Sequence, residues 1–138
     1  MAKRKPQKTW VYSPAADPRA AVTDELKVEV ERKASELLET LRPKYIEPPP
    51  KKAEFNYLIG LSTKWHGRYF YFVATYASPG RNAISPTFET NFARLEHVGG
   101  GRFDLSFLRH TGKWWPLLRG STLDECLNSV RDDPWFQP

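Results

Sequence analysis

Hydrophobic and polar residues alternate with a period of two through much of residues 55–121, and this spacing predicts antiparallel β-strands. The alternating runs form two hairpins: Tyr57–Trp65 with Arg68–Tyr76 around His66-Gly67, and Phe103–Arg109 with Lys113–Arg119 around Thr111-Gly112. Because successive side chains of a strand point to opposite faces, each hairpin has two distinguishable faces.

In the first hairpin, pairing Trp65 with Arg68 divides the side chains into a core face and a second, open face. The predicted core face carries Tyr57, Ile59, Leu61, Thr63, Phe70, Phe72, Ala74 and Tyr76. The open face carries Gly60, Ser62, Lys64, Tyr69, Tyr71 and Val73.

In the last hairpin, pairing His110 with Lys113 makes the corresponding division. The predicted core face carries Leu105, Phe107, Arg109, Trp114, Pro116 and Leu118. The open face carries Asp104, Ser106, Leu108, Trp115, Leu117 and Arg119. Proline cannot donate to a strand ladder, so Pro116 predicts that the last strand is an edge.

The central strand, Phe88–Val98, does not alternate cleanly, because Phe88 and Phe92 share one parity while Ala93 and Leu95 share the other. A β-bulge near Phe92 reconciles them.

Two helices flank the sheet. The first is predicted over residues 23–42, capped by Thr23 and ended by Pro43. A proline-rich connector, residues 43–54, leads from it to the sheet at 55–119. The second helix, 122–132, opens with the capping box Thr122–Glu125.

The predicted fold is α+β: a five-stranded antiparallel meander sheet with the N-terminal helix packed on one face and a short C-terminal helix. Short turns favour the strand order of the chain. Residues 1–21 are predicted to form a basic extended arm and residues 22–138 a single domain.

Composition narrows the class of protein. The chain has 138 residues, of which 40% are hydrophobic, and no apolar run of about 18 residues that would predict a membrane span. No apolar stretch follows the basic N-terminus, so a secretory signal is not expected. Cys126 is the single cysteine and falls on a predicted helix stripe, which favours a core thiol. We expect a cytoplasmic protein.

The formal net charge of +5 is unevenly distributed. The first 20 residues hold five Lys or Arg and one acid, Asp17. The sheet region 55–121 holds eight Lys or Arg and three acids. Because the positive charge lies in the arm and the sheet, an anionic partner is indicated.

Aromatic rings beside basic groups stack bases and hold phosphates, so the leading hypothesis is binding of RNA or single-stranded DNA. The candidate binding residues are Lys3, Arg4, Lys5, Lys8, Lys64, Arg68, Tyr69, Tyr71, Arg81, Asn82, Lys113 and Trp115. The alternative for the rings is that the second helix or the segment Trp10-Val11-Tyr12 covers them.

Two other functions remain open. A protein-binding module or homodimer would bury the open face, with Val73, Leu108, Trp115 and Leu117 as its hydrophobic centre. An enzyme would assemble its site from His66, Arg109 and His110.

No complete catalytic, metal or nucleotide motif is present, so no catalytic residue, metal or cofactor is predicted. The three histidines, His66, His97 and His110, are predicted to be exposed residues near turns.

Several segments together resemble a family of small uncharacterised bacterial proteins, a domain of unknown function. They are Thr63–His66, Tyr69–Phe72, Pro79–Pro86, Phe92–Arg94, Arg109–Trp114 and Leu123–Leu127, and the similarity extends from Trp10 to Pro134. The resemblance implies a bacterial cytoplasmic origin. That family has no assigned activity, so the resemblance transfers no site.

Overall fold

The structure is a computed structural model that describes residues 20–48, 55–80 and 84–138. Its elements follow the chain as α1 (Asp24–Tyr45), β1 (Tyr57–His66), β2 (Tyr69–Ala77), β3 (Thr87–Gly99), β4 (Arg102–Leu108), β5 (Trp114–Thr122), α2 (Leu123–Asp132) and a 3₁₀ turn (Pro134–Phe136). All neighbouring strands are antiparallel, in the order β1-β2-β3-β4-β5. The α+β meander predicted from the sequence is confirmed.

Helix α1 begins as predicted, with the Oγ1 atom of Thr23 accepting a hydrogen bond from the backbone N–H of Leu26 at 3.1 Å. Its predicted end at Pro43 is wrong, because the helix continues to Tyr45. Pro43 lies in the last turn, where its missing N–H removes one intrahelical bond. The Ile46 N–H still donates to the Arg42 carbonyl at 2.8 Å and closes the helix.

Both helices pack on the same side of the sheet, which we call the helix face. One hydrophobic core joins them to it; the most deeply buried members include Val30, Leu41, Phe70, Phe72, Leu95, Phe103, Leu105 and Cys126. The other side of the sheet, the open face, receives neither helix. The predicted packing of α1 on one face is therefore observed, and α2 joins it there.

The first hairpin differs in register from the prediction. His66 pairs with Tyr69, so Gly67 and Arg68 form the turn, and Gly67 takes a left-handed φ of 62°. A shift of two residues keeps every side chain on its predicted face. A bulge between Leu58 and Gly60 is the exception. Before it, Leu58 pairs with Tyr76 and packs against the core, so Tyr57 and Ile59 leave the predicted core face, and Ile59 is 42% exposed.

The bulge predicted near Phe92 is confirmed. Phe72 pairs with Ala93 and Val73 pairs with Asn91, so Phe92 has no partner on β2. The extra residue lets Phe92 and Ala93 both reach the buried core although they are adjacent in sequence.

The predicted faces of β5 are wrong for Trp114–Pro116 and confirmed for Leu118, because a bulge between Leu105 and Ser106 restores the expected pairing of Leu105 with Leu118. Phe107 pairs with Trp115 and Leu108 with Trp114, a shift of one residue from the expected register. Such a shift exchanges the two faces of a strand. Trp114 and Pro116 therefore lie on the open face, whereas Trp115 lies on the helix face beside Phe107. The edge position of β5, expected from Pro116, is confirmed by the strand order.

The C-terminal elements close the core. Thr122 and Glu125 form the predicted capping box, and the hydrogen bonds that Thr122 donates to the carboxylate lower the pKa of Glu125. The 3₁₀ turn beyond α2 was not expected from the sequence. It is capped by Asp133 and carries Phe136 back into the core, where that ring is buried.

Neither α-helix in the described ranges combines the length and the apolarity that a helix needs to cross a bilayer.

We predict that Leu105→Ala lowers the free energy of unfolding by about 2–5 kcal/mol, because Leu105 is fully buried and its truncation leaves a cavity. Leu108→Ala is the matched control on the same strand, where the side chain is 39% exposed and the expected loss is below about 1 kcal/mol. Urea denaturation followed by circular dichroism measures both values. Equal losses would contradict the assignment of the two faces of β4.

Candidate functional site

The open face is built from two rows of paired residues that cross the sheet. Lys64 pairs with Tyr71, Tyr71 with Arg94, Arg94 with Ser106 and Ser106 with Pro116. In the neighbouring row, Tyr69 pairs with Glu96 and Glu96 with Asp104. Directly opposed residues of adjacent strands share a face, so these side chains form one surface.

Arg94 lies over two aromatic rings of this surface and a third ring contacts both of them; we call the four residues the open-face cluster. The guanidinium carbon of Arg94 lies 4.4 Å from the Tyr69 ring centroid and 5.0 Å from the Trp114 ring centroid. Tyr71 contacts both rings, with centroids 6.3 Å from Tyr69 and 5.8 Å from Trp114. Arg94 makes no ion pair with any residue that the structure describes, so cation–π attraction is its main contact here.

The contact between Tyr71 and Trp114 crosses the open face. Tyr71 lies on β2 and Trp114 on β5, with two strands between them. Two smaller side chains of this face, Val73 and Ser106, are buried although no helix covers them. The open face therefore combines a packed floor with half-buried rings.

Acidic partners balance most of the positive charge on this face. Arg68 forms an ion pair with Glu96 at the edge of the cluster. Lys64 approaches Glu89, with 4.0 Å between Nζ and Oε1. The open face is consequently less positive than the composition of the sheet region suggests, and Arg94 has no acidic partner among the described residues.

Of the predicted binding residues, Lys64, Arg68, Tyr69 and Tyr71 come together on the open face. Lys113 lies in the turn before β5, at the opposite end of the sheet from the turn that holds Arg68. The others, Lys3, Arg4, Lys5, Lys8, Arg81 and Asn82, fall outside the described residues, as do Trp10–Tyr12.

Trp115 does not belong to the open face, which corrects the prediction for this residue. The one-residue shift of β5 puts Trp114 there instead. Arg94 and Trp114 are the residues that sequence reasoning missed. Arg94 was detectable in principle, because the bulge at Phe92 places it opposite Tyr71.

Three of the four residues proposed as a hydrophobic interaction centre line a cavity of about 680 Å³ at the turn end of the last hairpin. They are Leu108, Trp115 and Leu117. Val73, the fourth, is only 1% exposed on the open face and cannot form part of an exposed centre.

The histidines do not converge. His66 ends β1, and in an antiparallel meander the β1–β2 turn lies at the opposite end of the sheet from the β4–β5 turn that holds His110. Arg109 and His110 line the same cavity, but His66 does not. The structure thus does not assemble the enzyme site that was considered from the sequence.

His97 is buried, which corrects the expectation of an exposed turn residue. Its Nε2 atom accepts a hydrogen bond from the Gly101 N–H, which leaves Nδ1 to donate to the Ala20 carbonyl, both at 3.2 Å. A neutral imidazole with the proton on Nδ1 satisfies both contacts. His97 therefore joins the β3–β4 turn to the segment before α1.

No group of three or more His, Cys, Asp or Glu side chains in the described ranges is arranged to hold a metal ion. Cys126 is fully buried in the core, as predicted. Burial is the main reason that the pKa of its thiol rises to about 12.

Comparison with known proteins identifies the family of this chain but no activity or partner. Residues 22–138 match the family model described as a domain of unknown function (DUF3024), and the chain belongs to that family. This confirms the resemblance inferred from the sequence. No curated protein and no solved structure matches the chain.

We predict that Cys126 of the native protein resists iodoacetamide at pH 8, because the buried thiol stays protonated and unreachable. Unfolding returns the thiol to its ordinary pKa of 9.0, so its contribution to stability is retained below pH 9 and is lost as the pH rises toward 12. Mass spectrometry of samples in buffer and in urea measures the alkylation. Equal rates in the two samples would show that the thiol is accessible in the folded state.

Proposed function

We propose that this chain is a non-enzymatic binding protein of the bacterial cytoplasm that contacts RNA or single-stranded DNA. The open face would hold the bases, and the basic arm before α1 would hold phosphates. The observation that carries the proposal is the open-face cluster, in which Arg94 lies over Tyr69 and Trp114 and Tyr71 contacts both rings, on a face that neither helix covers.

The geometry of the cluster supports stacking. Its rings are half-buried, so each is held at its base by neighbours and still presents surface to solvent. Rings fixed in this way lose little conformational entropy when a base stacks on them. A guanidinium plane offers another stacking surface and a donor to phosphate.

The charges on the open face support different contacts for the two parts of the chain, with bases held by the open face and phosphates by the arm. Ion pairs with Glu96 and Glu89 hold Arg68 and Lys64, so only part of their charge is free for phosphates. The four cations Lys3, Arg4, Lys5 and Lys8 add positive charge just before the domain. Contacts from such residues are insensitive to base sequence and are weakened by salt.

We predict that Tyr71→Ala weakens binding of a short single-stranded RNA by about 1–3 kcal/mol, because one stacked base is lost. Tyr69→Ala should have an effect of similar size for the same reason. Fluorescence anisotropy with labelled RNA, single-stranded DNA and duplex DNA at two salt concentrations measures these affinities.

Phe55→Ala is the matched control, since Phe55 is 81% exposed and lies outside the open-face cluster. It should bind as the unchanged protein does. Absence of low-salt binding to all three nucleic acids, or equal binding by the tyrosine variants and the control, would refute the proposal. So would a stable dimer in light scattering whose interface buries the open-face cluster.

We further predict that deleting residues 2–8 weakens binding about equally for every nucleic-acid sequence and makes it less sensitive to salt. The deletion removes four cations and no ring of the cluster. Anisotropy titrations across a salt series give the slope of affinity against salt for both proteins. An unchanged slope would mean that the arm makes no phosphate contact.

A further inference from the structure

The cavity at the turn end of the last hairpin is separate from the open-face cluster and is built differently. We call it the hairpin cavity, and it encloses about 680 Å³, within the range of small-molecule sites. Its walls come from the β4–β5 turn, from β5 and from the 3₁₀ turn; they are Phe107, Leu108, Arg109, His110, Trp115, Pro116, Leu117, Pro134 and Trp135.

Aromatic rings dominate these walls. Trp115 and Trp135 are 53% and 59% exposed, large fractions for indole side chains of a folded domain. Trp135 stacks on Phe107 with centroids 4.7 Å apart and an angle of 26° between the rings. Together the exposed rings provide flat surfaces on which another flat ring can stack.

The polar groups of the hairpin cavity are basic. Among the described residues that line it, Arg109 and His110 are the only ionisable side chains and none is acidic. The Arg109 guanidinium carbon lies 5.0 Å from the Trp115 ring centroid, and no ion pair of Arg109 occurs among the residues that the structure describes. The cavity therefore combines aromatic walls with a cation that has no acidic partner there.

Backbone hydrogen bonds hold these groups in place. The Arg109 N–H donates to the Lys113 carbonyl at 2.9 Å, and its own carbonyl accepts from the Gly112 N–H at 2.8 Å. The backbone N–H of Trp135 donates to the Asp133 carboxylate at 3.1 Å, and the neighbouring Phe136 is buried in the core. These two contacts hold the backbone at Trp135. The backbone of both turns is therefore fixed before a ligand arrives, which lowers the entropic cost of binding.

We propose that the hairpin cavity binds a planar aromatic anion, with the ring against Trp115 or Trp135 and the negative group on Arg109. An aromatic carboxylate and a nucleotide monophosphate share this chemistry. The proposal is independent of nucleic-acid binding by the open face, because none of the four residues of the open-face cluster lines the cavity.

The test uses the full chain with two probes, 1-naphthoate and adenosine 5′-monophosphate, and the neutral analogue 1-naphthalenemethanol. Calorimetry gives the affinities, and the indole N–H signals of the five tryptophans in ¹⁵N NMR spectra locate the ligand. At least one anionic probe should bind and shift the Trp115 and Trp135 signals. The neutral analogue should bind about tenfold or more weakly, because it lacks the charge-assisted contact.

Arg109→Gln should weaken the anionic probe about tenfold, whereas Arg119→Gln, an exposed arginine of β5 outside the cavity, should leave binding unchanged within about twofold. Tyr71→Ala should also leave it unchanged, which separates this site from the open-face cluster. The stronger of the two probes identifies the class of anion. Binding of neither probe, equal binding of the neutral analogue, or indifference to Arg109→Gln would overturn the proposal.

Discussion

Both helices bury their apolar stripes on one face of the five-stranded sheet, and the chemistry of the opposite face follows from that constraint. A sheet of this size has two faces, and two helices of this chain stabilise one of them. The open face must therefore reduce its exposed apolar area with its own side chains. Tyr71 of β2 reaches Trp114 of β5, and Val73 and Ser106 on the same face are buried.

Arg94 is central to that solution. An aliphatic side chain at its position would fill the space between Tyr69 and Trp114, but it would not offer the rings an electrostatic partner. A guanidinium does, since its central carbon lies over both rings, 4.4 Å from the Tyr69 centroid and 5.0 Å from the Trp114 centroid. The same feature makes the cluster a candidate surface for ligands, because a group that holds rings by stacking can also hold bases. The contacts of Arg94 that stabilise the open face are thus also the contacts that we propose for binding bases.

Period-two alternation was sufficient to predict the sheet and most of the faces of the first hairpin, because Gly60, Ser62 and Lys64 mark one parity of β1 as the face away from the core. The strand order followed from the short turns. The alternation also located the bulge at Phe92, since two adjacent apolar residues can both be buried only when an extra residue is inserted. The last hairpin is different. Trp114 to Leu118 are apolar at every position, so neither parity is marked as the core and the pattern permits both registers. The choice is made by the turn, where Arg109 rather than His110 bonds to Lys113.

Composition gives the number of charged residues in the sheet region but not which of them form ion pairs. Counting residues places eight cations and three acids in the sheet region, which suggests a positive surface. Register decides how those charges meet: Glu96 lies beside Arg68 and Glu89 near Lys64, so the open face neutralises much of its own charge. Arg109 has no such ion pair among the described residues. It lies at the β4–β5 turn, away from the acids of the sheet, and its neighbours there are aromatic. The two cations best placed to meet a ligand, Arg94 and Arg109, are therefore distinguished by their ring neighbours and by strand register, which a count of charges cannot reveal.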